Sequence, residues 1–183
     1  MRAVPRDEGA GAPAACGASA GVIVSGFTHL DDAGAARMVD VGGKEVTARM
    51  ATATGRVDLS PECVALLRAF QAGGSGVPKG DALAVARVAG IMGAKRTPDL
   101  VPLCHPIGLS GVTVDLMVDD EGVAVTATAR TADRTGVEME ALTAVSVACL
   151  TLVDMTKAVD PRAVIGRIQV ESKTGGKTGD WSR

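Results

Sequence analysis

Hydrophobic and polar residues alternate along several stretches of this chain, with a period that predicts β-strands. A run from Glu45 to Thr52 alternates and predicts a strand ending near Gly55. Two further alternating runs, 112–118 and 123–129, are joined by an acidic segment ending in Gly122 and predict a β-hairpin. A last strand is predicted from about Val164 to Lys173.

Three other stretches have helical spacing. The first begins at Ser60-Pro61-Glu62, because serine caps a helix, proline suits its first turn and a carboxylate favours its positive end. Apolar residues then follow at 63, 66, 67 and 70, and Gly73-Gly74 closes the pattern. A second helix is predicted from Asp81 to about Ala94, stopped by Pro98. A long third helix is predicted from about Gly136 to Ala158.

The predicted order is β-α-α-β-β-α-β. With one helix removed, this order is the split β-α-β of the ferredoxin-like class. We therefore predict an α+β fold with an extra helix, in which an antiparallel sheet has helices packed on one face. Residues 1–36 are rich in Gly, Ala and Pro and predict a flexible N-terminal extension, while residues 37–183 predict a single domain.

Composition narrows the class of protein. The 183 residues are 46% hydrophobic and only 2% aromatic, with no tyrosine. Few aromatic residues and a net charge of -2 argue against modules that stack bases or bind phosphate backbones, so no nucleic-acid partner is predicted. The uncharged run 141–153 is short of the ~20 residues that cross a bilayer, so no membrane partner is predicted either.

The cysteines and histidines limit metal and disulfide chemistry. Cysteines lie at 16, 63, 104 and 149 without a close pair, which argues against a disulfide framework or a structural zinc site. Two histidines are too few for a three-histidine centre, and no metal site is predicted. The simplest interpretation is reduced thiols in a cytoplasmic protein.

Two segments resemble nucleotide-binding motifs but lack residues that those motifs require. The tail segment 173–178 resembles part of a P-loop, but Glu171 stands where a glycine is required and too few residues follow for a helix. Gly74-x-Gly76 resembles the start of a dinucleotide fingerprint, but Lys79 replaces the third glycine and a helix precedes it.

Charged residues at the two ends of the long helix are the first candidate chemistry. Glu138 and Glu140 stand at its start, and Asp154 and Lys157 at its end, around a run expected to be buried nearly all round. Burial shifts the pKa of such groups toward values useful in proton transfer. Plainer interpretations exist: Thr135-x-x-Glu138 fits a capping box, and Asp154 with Lys157 fits a surface ion pair.

The spacing of these charges has a further consequence. Glu140 and Asp154 are separated by about 21 Å along a helix that rises ~1.5 Å per residue. One compact centre cannot use both from one chain. Either the site forms between two subunits, or the two ends of the long helix bind distant parts of a long ligand.

Two loop segments add candidates. Prolines flank Leu103-Cys104-His105 and keep His105 in an extended segment, which suits ligand contact, although a packing histidine is the commoner role. Lys79 precedes a predicted helix start, where backbone N–H groups favour anions, so it suits phosphate or diphosphate; a solvated loop lysine is the alternative.

Taken together, these segments resemble one family, the MoaC cyclic pyranopterin monophosphate synthases of molybdenum-cofactor biosynthesis. The resemblance extends from about His29 to Trp181. It rests on several motifs in the correct order: Thr-His-Leu-Asp, Met-Val-Asp-Val, Lys-Gly-Asp, Ala-Arg-Val-Ala-Gly-Ile, Pro-Leu-Cys-His-Pro, Thr-Gly-Val-Glu-Met-Glu-Ala-Leu-Thr-Ala, Asp-Met-Thr-Lys-Ala-Val and Gly-Gly-Lys.

The resemblance implies a ferredoxin-like catalytic domain, a homohexamer built as a trimer of dimers, and sites between subunits. It implies that (8S)-3′,8-cyclo-7,8-dihydroguanosine 5′-triphosphate becomes cyclic pyranopterin monophosphate and diphosphate, without a cofactor. Asp154, Lys79 and Lys157 match catalytic positions. The resemblance implies that the other matched positions bind substrate: Leu103, Cys104, His105, Glu138, Met139, Glu140, Arg87, Lys173 and Lys177. Of these, Arg87, Lys173 and Lys177 are implied to face its phosphate groups.

Two positions depart from the family pattern. Thr156 stands where many relatives have cysteine, which argues against an essential thiol there. Residues 132–135 read Ala-Asp-Arg-Thr where Gly-Lys-Thr is common in the family. Arginine at 134 keeps the charge of the lysine but not its proton-transfer chemistry, so no general base is predicted at this position.

Two other classes of protein stay open. A thiol hydrolase would use Cys104 with His105, although side chains of adjacent residues diverge in an extended segment. A non-catalytic nucleotide-sensing module would explain a sheet and a basic pocket, but not the ordered motifs.

Overall fold

The computed structural model describes residues 30, 33–177 and 179–183. His29 and nearly all of the predicted N-terminal extension, residues 1–36, lie outside the described residues. The elements, in chain order, are β1 (Thr47–Asp58), α1 (Pro61–Gln71), α2 (Ala82–Ala94), α3 (Thr97–Leu100), β2 (Leu109–Val118), β3 (Gly122–Asp133), α4 (Glu138–Thr156), β4 (Val164–Thr174) and β5 (Trp181–Ser182).

The strands form one antiparallel sheet in the order β2-β3-β1-β4-β5. β1 pairs with β3 along its whole length, from Thr47 opposite Asp133 to Asp58 opposite Gly122. Alternate residues of β1 and β3 are buried and pack under α4, which also packs against α2. The predicted α+β fold, with helices on an antiparallel sheet, is confirmed.

Capping explains where the first two helices begin. Ser60 accepts a hydrogen bond from the Cys63 N–H, and Asp81 accepts one from the Ala84 N–H, which satisfies donors that the first helical turn leaves free. Both starts agree with the sequence prediction. The Ser60 N–H also donates to the Asp160 carboxylate at 2.6 Å, which places the start of α1 beside the end of α4.

Four details of the prediction are wrong. β1 continues past Gly55, where a Cβ atom would lie 2.5 Å from Val145 Cγ1, so the glycine accommodates the close packing of α4 and does not end the strand. Pro98 lies in the first turn of α3, beyond the end of α2 at Ala94. The pattern missed both α3 and β5. The capping-box interpretation of Glu138 also fails, because α4 begins after Val137 without a side-chain cap.

The core is built from small residues, as the scarcity of aromatic residues predicts. A Cβ atom at Gly90 of α2 would lie 2.8 Å from the Ala144 carbonyl oxygen of α4, so the two helices approach closely. α4 is long and apolar enough to cross a membrane by length and composition, but it is the core helix of this fold. Its burial is less complete than predicted, since Leu150 is 61% exposed.

Candidate active site

A pocket of about 440 Å³ opens beside the start of α4. It brings together three segments: the chain before β1, the proline-flanked segment after α3 and the first turn of α4 with its preceding loop. The lining residues are Val39, Val41, Lys44, Leu103, Cys104, His105, Thr135, Gly136, Glu138, Met139 and Glu140. The structure therefore groups six of the predicted substrate-binding residues.

His105 is held in this pocket by a backbone contact. Its Nε2 lies 2.8 Å from the Val39 carbonyl oxygen. Because a carbonyl oxygen only accepts hydrogen bonds, Nε2 carries the proton and donates in this contact. A neutral ring then has its acceptor at Nδ1, so the tautomer of His105 is set by the chain before β1.

Glu140 is the buried carboxyl group of the pocket, with 3% of its surface exposed. The pKa of this group is raised from 4.5 to about 7, mainly by burial and in addition by the negative charge of Glu138, while a backbone hydrogen bond opposes the shift. A carboxyl group with this pKa exchanges protons near neutral pH, as a general acid or base requires.

Cys104 lies close enough to Glu140 to be affected by its charge. Burial raises the pKa of the Cys104 thiol, and the negative charge of Glu140 raises it further. A nucleophilic cysteine needs the opposite shift, because the thiolate is the reactive form. The thiol-hydrolase alternative is therefore not supported by the surroundings of this cysteine.

A second group of candidates, the lysine–aspartate cluster, consists of Lys79, Asp154 and Lys157. The Lys79 Nζ lies 2.6 Å from Asp154 Oδ2, and the Lys157 Nζ lies 2.8 Å from Asp154 Oδ1. The hydrogen bond from Lys157, followed by that from Lys79, lowers the pKa of Asp154 to about 2. Lys79 comes from a loop 75 residues earlier, so the contact is more than the simple i,i+3 ion pair that the sequence allows.

The pocket and the cluster lie at opposite ends of α4. Glu140 is in its first turn and Asp154 in its last, and Asp154 lies 14 positions further along the same continuous helix, which corresponds to about 21 Å. The start of α4 follows the end of β3, whereas Asp160, in the turn after α4, accepts a hydrogen bond from the Ser60 N–H after β1. One chain does not bring the two groups of predicted residues together.

The predicted phosphate-side residues divide in the same way. Lys173 of β4 lies at the pocket end, where its Nζ is 3.4 Å from Glu138 Oε1. Lys177 lines a neighbouring cavity of about 350 Å³ together with Lys44 and Arg49. Arg87 is in neither place, because its Nε donates to the Val114 carbonyl of β2 at 3.0 Å.

Lys44 and Arg49 are the site-lining cations that sequence reasoning missed. Lys44 lies in a loop with no periodic pattern, and Arg49 occupies an ordinary position of a β-strand, so neither had a local signal.

Arg134, where no general base is predicted, donates from Nε to the Lys44 carbonyl at 2.9 Å. Across residues 30, 33–177 and 179–183, no group of three or more His, Cys, Asp or Glu side chains could hold a metal ion.

The α+β domain therefore carries a buried carboxyl group at one end of α4 and a lysine–aspartate cluster at the other, and both are groups that can exchange protons. The sequence profile of the MoaC family matches residues 38–176. This chain belongs to the MoaC family.

Similar proteins agree with this assignment. The chain is 70% identical over 157 residues to the cyclic pyranopterin monophosphate synthase of Streptomyces coelicolor, covering 86% of this chain and 89% of the relative. It is 68% identical over 160 residues to the synthase of Nocardioides sp., covering 86% and 95%. Cyclic pyranopterin monophosphate synthase 2 of Mycobacterium tuberculosis is 57% identical over 157 residues, covering 86% and 91%. The predicted family is confirmed.

Proposed function

We propose that this chain converts (8S)-3′,8-cyclo-7,8-dihydroguanosine 5′-triphosphate to cyclic pyranopterin monophosphate and diphosphate. The activity is that of a cyclic pyranopterin monophosphate synthase, a lyase of molybdenum-cofactor biosynthesis. The observation that carries the proposal is the 70% identity over 157 residues to a synthase of that name. The pocket and the lysine–aspartate cluster supply groups for the proton transfers that such a rearrangement needs.

In this proposal the pocket holds the ring system of the substrate. Leu103 and Met139 offer apolar contact, while His105 and Cys104 offer polar atoms at the same surface. Glu140 exchanges a proton with the ring, because its pKa of about 7 lets it give or take one at neutral pH. Glu138, paired with Lys173, orients the polar edge of the ring.

The lysine–aspartate cluster performs the other proton transfers. Asp154 stays ionised and holds the two ammonium groups at 2.6 and 2.8 Å, so Lys79 and Lys157 are positioned together. We assign them the acid–base steps of ring opening and pterin rearrangement, as one coupled group. The two lysines also stabilise negative charge that develops at the phosphate as it cyclises.

Lys173 and Lys177 are the cations proposed for the leaving diphosphate. Both lie at the pocket end of the sheet, on β4 and the loop after it. Arg87 was also predicted for this role; its Nε donates to the Val114 carbonyl of β2, and we propose that this contact also supports the packing of α2 on the sheet.

We also propose that the working site forms between two subunits of a homohexamer, a trimer of dimers. The 14-position offset between Glu140 and Asp154 supports this, because a single compact substrate cannot span both ends of α4 in one chain. Exposed apolar residues support it as well. Val85, Val88 and Met92 follow at i, i+3 and i+7 on α2 and are 45%, 57% and 54% exposed.

Residues 37–183 form the proposed catalytic domain, preceded by the extension predicted over 1–36. We place the enzyme in the cytoplasm. Among the described residues Cys63, Cys104 and Cys149 are free thiols, which suits a reducing compartment.

The test is to incubate the purified protein with the cyclic triphosphate and to measure cyclic phosphate product and diphosphate together. We expect both in equal amounts, and no turnover by Lys79→Ala or Asp154→Ala while the oligomer stays intact by light scattering. Binding of the substrate without diphosphate release would indicate the nucleotide-sensing module instead. Near-normal turnover by both variants would refute the assigned roles.

A further inference from the structure

Arg49 lies on β1 beside a connection that carries predicted site residues. Its Nε donates to the Asp133 carbonyl at 3.0 Å, and its Nη2 donates to the Arg134 carbonyl at 3.1 Å. These carbonyls belong to the end of β3 and the connection into α4, which begins at Glu138. A guanidinium is a rigid planar fork, so two bonds to successive carbonyls fix the connection in one orientation.

The same guanidinium lies against a second loop, which we call the glycine loop and whose described residues are 175–177 and 179–180. A Cβ atom at Gly176 would lie 2.5 Å from Arg49 Nη1, so the loop backbone approaches the guanidinium closely. Gly176 also has a φ of +83°, which residues with a side chain rarely adopt. This close approach brings Lys177 to the cavity that Arg49 lines.

The glycine loop is also closed on itself. The Gly175 N–H donates to Asp180 Oδ1 at 2.9 Å, and β5 pairs with Ser172 and Lys173 just before the loop. Outside the loop, Gly175 lies close to the Ala48 backbone of β1, and Arg49 is the contact at Gly176.

From these contacts we infer that Arg49 is a positioning residue for the synthase reaction. It holds the connection before Glu138 and the glycine loop with Lys177 at a fixed separation, so that the pocket and the Lys177 cation act on one substrate molecule. Two of its donors are used by carbonyl groups, so its contribution is the placement of these two segments. This inference rests on the proposed function.

Two substitutions separate placement from charge. Arg49→Lys keeps the positive charge but loses the planar fork, and Arg49→Gln loses both. If Arg49 positions the loops, both variants raise KM roughly tenfold with little change in kcat, since the chemical groups are intact. Arg68→Lys is the matched control. Arg68 pairs with Asp120 at the hairpin turn, at the far end of the sheet.

A double-mutant cycle with Lys177→Ala tests whether Arg49 acts through that lysine. We expect Arg49→Lys to raise KM much less in the Lys177→Ala background than in the wild type. Effects that multiply fully in the double variant would overturn the inference. So would a wild-type KM in Arg49→Lys together with a raised KM in Arg49→Gln, because that result identifies a simple charge contact.

Hydrogen exchange gives a readout that does not depend on turnover. We expect Arg49→Lys to speed exchange roughly tenfold in segments 133–137 and 175–177, and to leave α1 unchanged. Unchanged exchange in both segments would overturn the positioning role. If the wild-type protein failed to turn over the substrate, the proposed function would fail, and the exchange result would still decide how Arg49 acts.

Discussion

Mixing two inactive variants tests whether the site joins two subunits. Glu140→Gln disables the pocket end of α4, and Asp154→Ala disables the other end. Because about 21 Å of helix separates the two residues, a site that uses both takes one from each subunit. Each variant keeps the half that the other lacks, so mixed oligomers contain some complete sites.

The expected recovery follows from counting subunits. A site works only where one subunit supplies an intact Glu140 and its neighbour an intact Asp154. With equal amounts and random assembly, this holds for about a quarter of the sites, so the mixture recovers about 25% of wild-type activity. The assay is diphosphate release after the variants are dissociated together in mild denaturant and reassembled.

Two further mixtures are matched controls. Glu140→Gln with His105→Ala disables the pocket end twice, and both residues line the same pocket of one chain. In the mixture of Lys79→Ala with Asp154→Ala, every subunit has a defective cluster, because the Lys79 Nζ and Asp154 Oδ2 that pair at 2.6 Å belong to the same chain. Neither mixture can form a complete site, so both stay inactive. Equal recovery in all three mixtures, or none in the first, would refute the two-subunit site.

The remaining predictions concern stability. Glu140 has a pKa raised from 4.5 to about 7 in the folded chain, so folding favours its protonated form and the cost of burying its charge is absent below pH 4.5. The cost grows as pH rises to 7 and reaches about 3 kcal/mol above it, so Glu140→Gln should stabilise the protein at pH 8 but not at pH 4.5, as measured by urea unfolding. Gly90→Ala should lower the free energy of unfolding by about 1–2 kcal/mol, because the overpacking against the Ala144 carbonyl outweighs the better helix propensity of alanine.

Each stability prediction has a clear contrary result. An equal effect of Glu140→Gln at pH 4.5 and pH 8 would show that the carboxyl group is not held at a raised pKa. For the glycine, Gly111→Ala on β2 is the control, since a Cβ atom there meets nothing within 4 Å. A Gly90→Ala variant as stable as this control would mean that α2 and α4 can separate without cost.

The fold was predictable where local patterns and tertiary packing agree. Ser60 and Asp81 mark helix starts with residues that cap, and the hairpin between β2 and β3 combines alternation with a turn. At Gly55 the prediction failed because packing with a distant element decided the outcome. Gly55 looks like a strand end, yet it lies in β1 because Val145 of α4 leaves no room for a side chain.

The candidate site divides in the same way. Glu140 and His105 stand in specific motifs, and the structure brings them into one pocket. Lys44 and Arg49 have no motif, because they meet the pocket region only through the pairing of β1 with β3 and the return of the glycine loop. Arg87 matches a motif as well, and its Nε donates to the Val114 carbonyl of β2, so its phosphate-side role stays a prediction.

The scarcity of aromatic residues has its consequence in the pocket. None of the lining residues is Phe, Tyr or Trp, and the apolar ones are Val39, Val41, Leu103 and Met139. A base stacked on one of these large rings gains ~1–3 kcal/mol, and this pocket lacks that contribution. Apolar burial of about 25 cal/mol per Å² and a polarizable thioether replace part of it. In the proposed function, the rest of the binding free energy comes from the phosphate end of the substrate. This accounts for the cationic side chains near the pocket in a chain whose net charge is -2.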